Sequence, residues 1–151
     1  MEKTRVRDVM TSPVITVRRD CAVPAALSLM REHRIRHLPV VENGRLVGIV
    51  SRGDLREASS KAAINADTYE SNFMLSRLTV DNLMARKVFT VTPDAFIVFA
   101  AELMTDNKIA GLPVVQQDGS VIGIVTESDL LRFLVRKIRE AENVESVGEP
   151  A

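Results

Sequence analysis

The chain has 151 residues, of which 46% are hydrophobic and 4% aromatic, a length typical of one domain or of two small units sharing a core. Twenty basic residues balance twenty acidic ones, so the chain lacks the broad positive field that binds nucleic acid non-specifically. No stretch is apolar enough to span a membrane, and the charged N-terminus has no signal-peptide core. The single cysteine, Cys21, cannot form an internal disulfide, and we expect a cytoplasmic protein.

The first predicted elements are a short helical turn, a strand and a helix. The turn covers Val6–Met10, and the β-branched run Val14–Val17 predicts a strand. Asp20 is the expected N-cap of the helix that follows. The apolar residues of this helix are spaced i, i+3, i+4 and i+7, as Val23, Ala26, Leu27 and Met30.

A β-hairpin is predicted next, and it leads directly into a second helix. The sequence HLPVVENGRLVGIVSRGD, from residue 37 to residue 54, has two apolar strands, a turn at Glu42-Asn43-Gly44 and a final Ser51-x-x-Asp54. The same pattern returns from residue 111 to residue 129 as GLPVVQQDGSVIGIVTESD. The chain therefore uses one hairpin design twice.

The whole order of elements repeats in the second half. Val6 matches Val80, 74 residues on, and Asp54 matches Asp129, 75 residues on, because one residue is inserted at the second turn. A nearly constant offset through a helix and three strands indicates a duplicated unit. We predict one repeat at 1–58, a connecting segment with a helix at 59–79, a second repeat at 80–142 that ends in a C-terminal helix, and a frayed tail at 143–151.

Ser51-x-x-Asp54 and Thr126-x-x-Asp129 each lie where a strand passes into a helix, and they have two possible roles. One role is a capping box, in which the hydroxyl and the carboxylate satisfy backbone N–H groups. The other is ligand binding, because a helix N-terminus attracts anions and an Asp can accept both hydroxyls of a ribose. Both copies have Asp where capping alone would tolerate Glu or Gln, which favours ligand binding.

These residues resemble the CBS domain in two tandem copies. The resemblance depends on VRDVMT, VITV, MREHRIRHLPVV and LVGIVSRGDL, and on their counterparts in the second half. The connector, LREASS through MLSRLTV, is similar to that of stand-alone CBS proteins of the acetoin-utilisation type. The resemblance implies an α+β fold of two β-α-β-β-α repeats packed as a pseudo-twofold pair, adenosyl-ligand clefts between them, and a homodimer.

The resemblance also implies two clefts lined by matching residues. In each, apolar residues would hold the base, the Asp would hold the ribose, and the hydroxyl would bind a ribose or phosphate oxygen. For Val14, Val88, Leu38 and Leu112, core packing is favoured over ligand contact. The implied lining residues are Ile15, Ile35, Arg36, His37, Pro39, Ser51 and Asp54 in the first cleft, and Phe89, Ile109, Ala110, Gly111, Pro113, Thr126 and Asp129 in the second.

The two clefts are expected to be unequal. Arg36 and His37 match Ala110 and Gly111, so only the first repeat has basic side chains at these positions. The resemblance implies that they reach across the pair towards the phosphates of a ligand at Asp129. We therefore expect the Asp129 cleft to bind nucleotides more strongly.

The sequence favours a regulatory sensor that is not an enzyme. It would bind AMP, ADP, ATP or S-adenosylmethionine, need no other cofactor, and pass a conformational change to a regulated partner. The alternative is a structural homodimerisation module with vacant clefts. An enzyme ranks last, because the sequence has no pairing of nucleophile and base and no metal-ligand cluster.

Overall fold

The computed structural model describes residues 3–64, 73, 76–143 and 148, so most of the predicted connecting helix lies outside the described residues. The two halves form two antiparallel two-stranded sheets with helices around them, and the predicted α+β fold is confirmed. The first half contains α1 (Val6–Val9), α2 (Val23–His33), β1 (His37–Glu42), β2 (Arg45–Ser51) and α3 (Arg52–Ile64). The second contains α4 (Val80–Leu83), α5 (Ile97–Asn107), β3 (Gly111–Val115), β4 (Val121–Thr126) and α6 (Glu127–Glu142).

Both hairpins form as predicted. In the first turn Asn43 and Gly44 have φ of 52° and 77°, the left-handed conformation that a two-residue hairpin turn requires. Strands β1 and β2 pair from His37 opposite Ser51 to Glu42 opposite Arg45, with a register shift after Val40. The second hairpin has the same shift after Val114.

The predicted strands Val14–Val17 and Val88–Val91 are each reduced to one bridge. Val17 pairs in parallel with Val40, and Val91 pairs in the same way with Val114. Residues 14–16 and 88–90 form no ladder. Each segment joins its sheet only at its last residue, which leaves Val14 and Ile15 able to line a cleft instead.

Helix α2 begins later than the sequence indicated, and Asp20 is not its N-cap. The N-cap is Ala22, which makes no side-chain capping bond. Ala22 bridges Thr79, and the flanking hydrogen bonds join Val23 N to the Leu78 carbonyl (3.0 Å) and Val80 N to the Cys21 carbonyl (2.9 Å). This pairing holds residues 21 and 22 extended, so the helix starts only after them.

The two short turns α1 and α4 exchange places between the halves. Val6 lies in the core of the second half, whereas Val80 and Met84 lie in the core of the first. Bridges fix the exchange: Thr11 pairs with Ile124, and Ala85 pairs with Ile49. Because each core is completed by a segment of the other repeat, the boundaries of the repeats in sequence differ from those of the cores.

A methionine over a glycine fixes each exchanged segment. A β-carbon on Gly123 would lie 2.7 Å from Met10 Sδ and 3.0 Å from the Thr11 carbonyl oxygen. A β-carbon on Gly48 would lie 2.5 Å from Met84 Sδ and 3.0 Å from the Ala85 carbonyl oxygen. Only glycine leaves room for this approach of backbone to backbone.

We therefore expect Gly48→Ala and Gly123→Ala each to lower the free energy of unfolding by about 1–3 kcal/mol, the usual cost of overpacking. Urea unfolding at one fixed protein concentration measures this change. Gly53→Ala is the matched control, because a β-carbon there would meet only Ser51 Oγ at 3.8 Å. This control should be neutral or stabilising by up to about 1 kcal/mol, since Gly53 lies in a helix. Wild-type stability of both Gly48→Ala and Gly123→Ala would contradict the packing argument.

Candidate functional site

A cavity of about 290 Å³ lies between the two halves, where the end of α2 and the start of β1 face the start of α6. The exchange of α1 creates it, because the bridge between Thr11 and Ile124 brings the segment after α1 beside β4. The cavity is therefore built from both halves. Its lining residues are Thr11, Pro13, Val14, Ile15, Arg34, Ile35, Arg36, His37, Ala110, Ile124, Thr126, Glu127, Ser128 and Arg132.

One part of the lining is apolar. Val14, Ile15 and Ile35 come from the first half and are partly buried, and Ile124 comes from β4. Ile15 and Ile35 pack against the first core, which holds them in place. Aliphatic side chains of this kind can hold a planar apolar group such as a purine base.

The start of α6 forms a complete capping box. Thr126 is the N-cap, and its Oγ1 accepts from Asp129 N at 3.4 Å. Asp129 Oδ2 accepts from Thr126 N (2.9 Å) and Thr126 Oγ1 (3.1 Å). Asp129 Oδ1 accepts from Thr11 Oγ1 (3.1 Å) and from Arg132 Nη2 (2.8 Å). Asp129 is only 5% exposed, so its carboxylate supports the cavity wall from behind.

The matching motif in the first half is arranged differently. Ser51 Oγ accepts from Asp54 N at 3.1 Å, which caps the start of α3. Asp54 itself is exposed, and among the described residues its carboxylate has no hydrogen bond or ion pair. The two aspartates thus have unequal surroundings: one is buried and fully hydrogen-bonded, and the other is free at the surface.

Three guanidinium groups line the cavity. Arg34 ends α2 in the left-handed conformation, with φ of 55°, and Arg36 follows two residues later. Both side chains are exposed, and neither is paired within the described part of the chain. Arg132 donates to Asp129 and keeps 71% of its side chain exposed. This basic set can bind phosphate or carboxylate groups.

His37 lies where the two halves meet. A β-carbon on Gly111, the matching position of the second half, would lie 3.2–3.4 Å from the His37 ring. The space over Gly111 is thus taken by the imidazole of His37. Burial is the main effect on the pKa of His37, and it lowers this pKa because it disfavours the charged imidazolium. The positive charge of Arg36 lowers the pKa further, whereas the negative charges of Glu127 and Asp54 raise it.

The structure groups the predicted residues differently from the sequence expectation. Ile15, Ile35, Arg36, His37, Ala110 and Thr126 line one cavity, so the apolar wall of the first half faces the helix start of the second. Ser51, Asp54, Phe89, Ile109 and Gly111 are not among its lining residues, and Pro39, Pro113 and Asp129 are buried. The reason is the exchange of α1, which carries the segment after it to the other half.

Sequence reasoning missed several lining residues. Arg34 is one of them, and it lies two residues before the predicted Arg36. Arg132 lies one helical turn after Asp129, a spacing at which side chains meet, and that spacing is the signal that could have identified it. The other missed lining residues are Thr11, Pro13, Ile124, Glu127 and Ser128.

Within residues 3–64, 73, 76–143 and 148, no group of three or more His, Cys, Asp or Glu side chains is placed to hold a metal ion. No helix in those ranges is long and apolar enough to cross a membrane.

Cys21 is partly buried, and this burial raises the pKa of its thiol. The negative charge of Asp20 raises the pKa further, by a smaller amount. The thiol therefore stays protonated and unreactive.

The pKa of His37 leads to a prediction about stability. Because this pKa is lowered in the folded protein, the unfolded chain binds more protons below about pH 6.5, the ordinary histidine value. The contribution of neutral His37 to stability should therefore be complete above about pH 6.5 and decline as the pH falls through that value. We expect the difference in melting temperature between wild type and His37→Gln to change between about pH 8 and pH 5.5. A difference that stays constant with pH would disprove this role of His37.

A family model for the CBS domain matches residues 6–61 and 80–136. A CBS domain-containing protein from Dictyostelium discoideum is 33% identical over 135 residues, which cover 89% of this chain and 93% of that protein. A homoserine O-acetyltransferase from Methanococcoides burtonii is 38% identical over 132 residues, which cover 87% of this chain. The match spans only 24% of that enzyme.

Solved structures show the same arrangement. The CBS domain pair of protein MJ0100, in complex with 5′-methylthioadenosine and S-adenosyl-L-methionine, has a TM-score of 0.77 and 30% identity, and the match covers 90% of this chain and 99% of that one. AcuB from Vibrio cholerae, whose name refers to acetoin utilization, also has a TM-score of 0.77. It is 29% identical, and the match covers 96% of this chain and 100% of that one. CBSX2 in complex with AMP has a TM-score of 0.73 and 30% identity, over 89% of this chain and 98% of that one. The chain therefore belongs to the CBS domain family, as a tandem pair of CBS domains that resembles stand-alone CBS proteins of the AcuB type.

Proposed function

We propose that this chain is a regulatory module that binds an adenosine-containing ligand in the cavity between its halves and passes the change to a partner. The observation that carries this proposal is the set of groups that line one cavity: aliphatic side chains, hydroxyl groups and guanidinium groups. Adenosyl compounds combine a base, a ribose and a tail, and these three parts match the three kinds of group. Two similar structures support the same class of ligand: one is a complex with S-adenosyl-L-methionine and 5′-methylthioadenosine, and the other is a complex with AMP.

In this proposal the base lies between Ile15 and Ile35 of the first half and Ile124 of the second. The ribose lies near the hydroxyls of Thr126 and Ser128, and the tail extends to the basic side chains. Asp129 acts from behind the wall, because it already accepts four hydrogen bonds. Direct contact of Asp129 with the ribose would require some of those bonds to open.

We propose a second, weaker cleft at the matching positions. Ser51, Asp54, Phe89, Ile109 and Gly111 would belong to it, and the exposed carboxylate of Asp54 would accept from the ribose. It lacks counterparts of Arg36 and His37, because Ala110 and Gly111 stand there. The weaker binding at this cleft therefore stays a prediction from sequence.

The proposed module is not an enzyme. The similarity to homoserine O-acetyltransferase covers about a quarter of that protein and all but a small part of this chain, so it concerns the CBS pair. The activity of the longer enzyme is not carried over. The signal would instead pass to a separate regulated protein.

Calorimetric titration with adenosine, AMP, ATP, 5′-methylthioadenosine and S-adenosylmethionine tests the function. We expect at least one of these ligands to bind and to raise the melting temperature. Ile15→Glu, which places a carboxylate beside the proposed base site, should weaken binding at least tenfold. Ser28→Glu adds the same charge at an exposed position of α2 outside the cavity and should bind normally. The absence of heat and of a thermal shift with all five ligands would favour the structural dimerisation module.

The proposed homodimer has a candidate interface on α6. Leu131, Leu134, Val135 and Ile138 follow the spacing i, i+3, i+4 and i+7, so they form one stripe along the helix. They are between 42% and 60% exposed. A continuous apolar stripe of this kind is typical of an interaction surface, and a second copy of the chain would cover it.

Sedimentation velocity tests the homodimer. Wild type at micromolar concentration should sediment as a dimer, and Leu134→Glu combined with Val135→Glu should sediment as a monomer, because burying two carboxylates without partners opposes association. Arg136→Glu is the control, since Arg136 lies on the same helix outside the stripe and is exposed. A monomeric wild type, or a double variant that still dimerises, would rule out this interface.

A further inference from the structure

We infer that the cavity selects a phosphorylated adenine nucleotide over S-adenosylmethionine and 5′-methylthioadenosine. This inference rests on the proposed function, and it narrows the class of ligand. The observation behind it is an excess of unpaired positive charge in the lining: the guanidinium groups of Arg34 and Arg36 are unpaired, against one unpaired carboxylate, that of Glu127. The third guanidinium group, that of Arg132, is paired with Asp129.

Two of the guanidinium groups are free to take a new partner. Arg34 and Arg36 lie in the turn between α2 and β1, and no ion pair or side-chain hydrogen bond holds either of them among the described residues. A phosphate can accept two parallel hydrogen bonds from one guanidinium, which makes these pairs both strong and directional. Neither Arg34 nor Arg36 would have to give up an existing ion pair to bind it.

The third guanidinium group is held in place by Asp129. Arg132 Nη2 donates to Asp129 Oδ1 at 2.8 Å, and this uses one of the five N–H groups of the side chain. With 71% of the side chain exposed, the remaining donors are accessible. Asp129 therefore orients the guanidinium group of Arg132 at the cavity and leaves most of its N–H donors available for a ligand.

A backbone donor adds to the basic side chains. In the first turn of α6, Glu127 N donates to the Ala110 carbonyl at 3.0 Å and Asp129 N donates to Thr126 Oγ1. Ser128 N lies between them and has no partner among the described contacts, as expected for a residue in the first turn of a helix. Because Ser128 lines the cavity, an anion there would meet both a free N–H and the positive end of the helix.

The competing ligands differ from a nucleotide in the charge of the tail. S-adenosylmethionine has a positive sulfonium and a positive amine against a single carboxylate, so its tail has a net charge of the same sign as the cavity. The tail of 5′-methylthioadenosine is uncharged and gains nothing from the guanidinium groups. Glu127 could attract the amine of S-adenosylmethionine, but the two unpaired guanidinium groups of Arg34 and Arg36 outweigh this one carboxylate.

The matching positions do not repeat this basic set. Arg34 corresponds to Lys108, Arg36 corresponds to Ala110, and Arg132 corresponds to Glu57. The described cavity therefore has three guanidinium groups at these positions, whereas the matching positions have one amine and one carboxylate. The selectivity for phosphate should therefore belong to the described cavity alone.

Titration of wild type and of the double variant Arg34→Gln with Arg36→Gln tests the inference. Wild type should bind AMP or ATP at least tenfold more tightly than S-adenosylmethionine, and added salt should narrow the difference. The double variant should lose roughly tenfold to hundredfold in affinity for AMP, the effect of losing charged hydrogen bonds. Its affinity for S-adenosylmethionine should stay the same or rise. Arg31→Gln, which removes the same charge from the same helix end outside the cavity, is the control and should behave as wild type.

The outcomes separate this inference from the proposed function. If S-adenosylmethionine binds wild type as tightly as AMP or more tightly, the selectivity is wrong and the adenosyl function stands. An equal loss of affinity for AMP and for S-adenosylmethionine in the double variant would also overturn the selectivity. It would indicate that Arg34 and Arg36 shape the cavity and do not bind phosphate. If no adenosyl compound binds wild type, the proposed function itself fails and the inference fails with it.

Discussion

The close approach of Met10 to Gly123, and of Met84 to Gly48, is the contact on which the rest of the structure depends. Each methionine belongs to a short turn that has left its own repeat and packs on the hairpin of the other. A side chain at either glycine would push the turn away, because a backbone carbonyl lies behind the methionine and cannot move aside. The two CBS repeats are therefore held together through their cores as well as through their surfaces.

The same exchange builds the candidate site. Once Thr11 is paired with Ile124, the chain that follows must pass the start of α6, and Val14 and Ile15 come to face Thr126. The apolar wall then comes from one half and the helix start from the other. A ligand that fills such a cavity contacts both halves at once, so its binding free energy depends on how they are placed. This dependence is what a regulatory module needs in order to report occupancy.

The pair is only approximately symmetric, because several matching positions carry different side chains. His37 fills the space over Gly111, so a side chain at that glycine would contact the imidazole ring at 3.2–3.4 Å. Asp129 and Asp54 differ in a similar way, because Arg132 pairs with the first, whereas Glu57 at the matching position cannot pair with the second. A duplicated sequence has thus produced one basic cavity, whereas the matching set of positions is less basic.

The sequence by itself determined the local structure. Apolar alternation and the Asn43-Gly44 turn specify the hairpins, helical spacing specifies α2, and the repeat offset specifies the pair, because each signal acts between residues close in the chain. It also identified Arg36, His37 and Thr126 as candidates, since each lies beside a recognisable motif. Which of these residues share a cavity was decided only by the tertiary structure. The exchange of α1 and α4 depends on contacts between residues far apart in the chain, Met10 with Gly123 and Met84 with Gly48, and no local pattern records which hairpin a short turn will pack against.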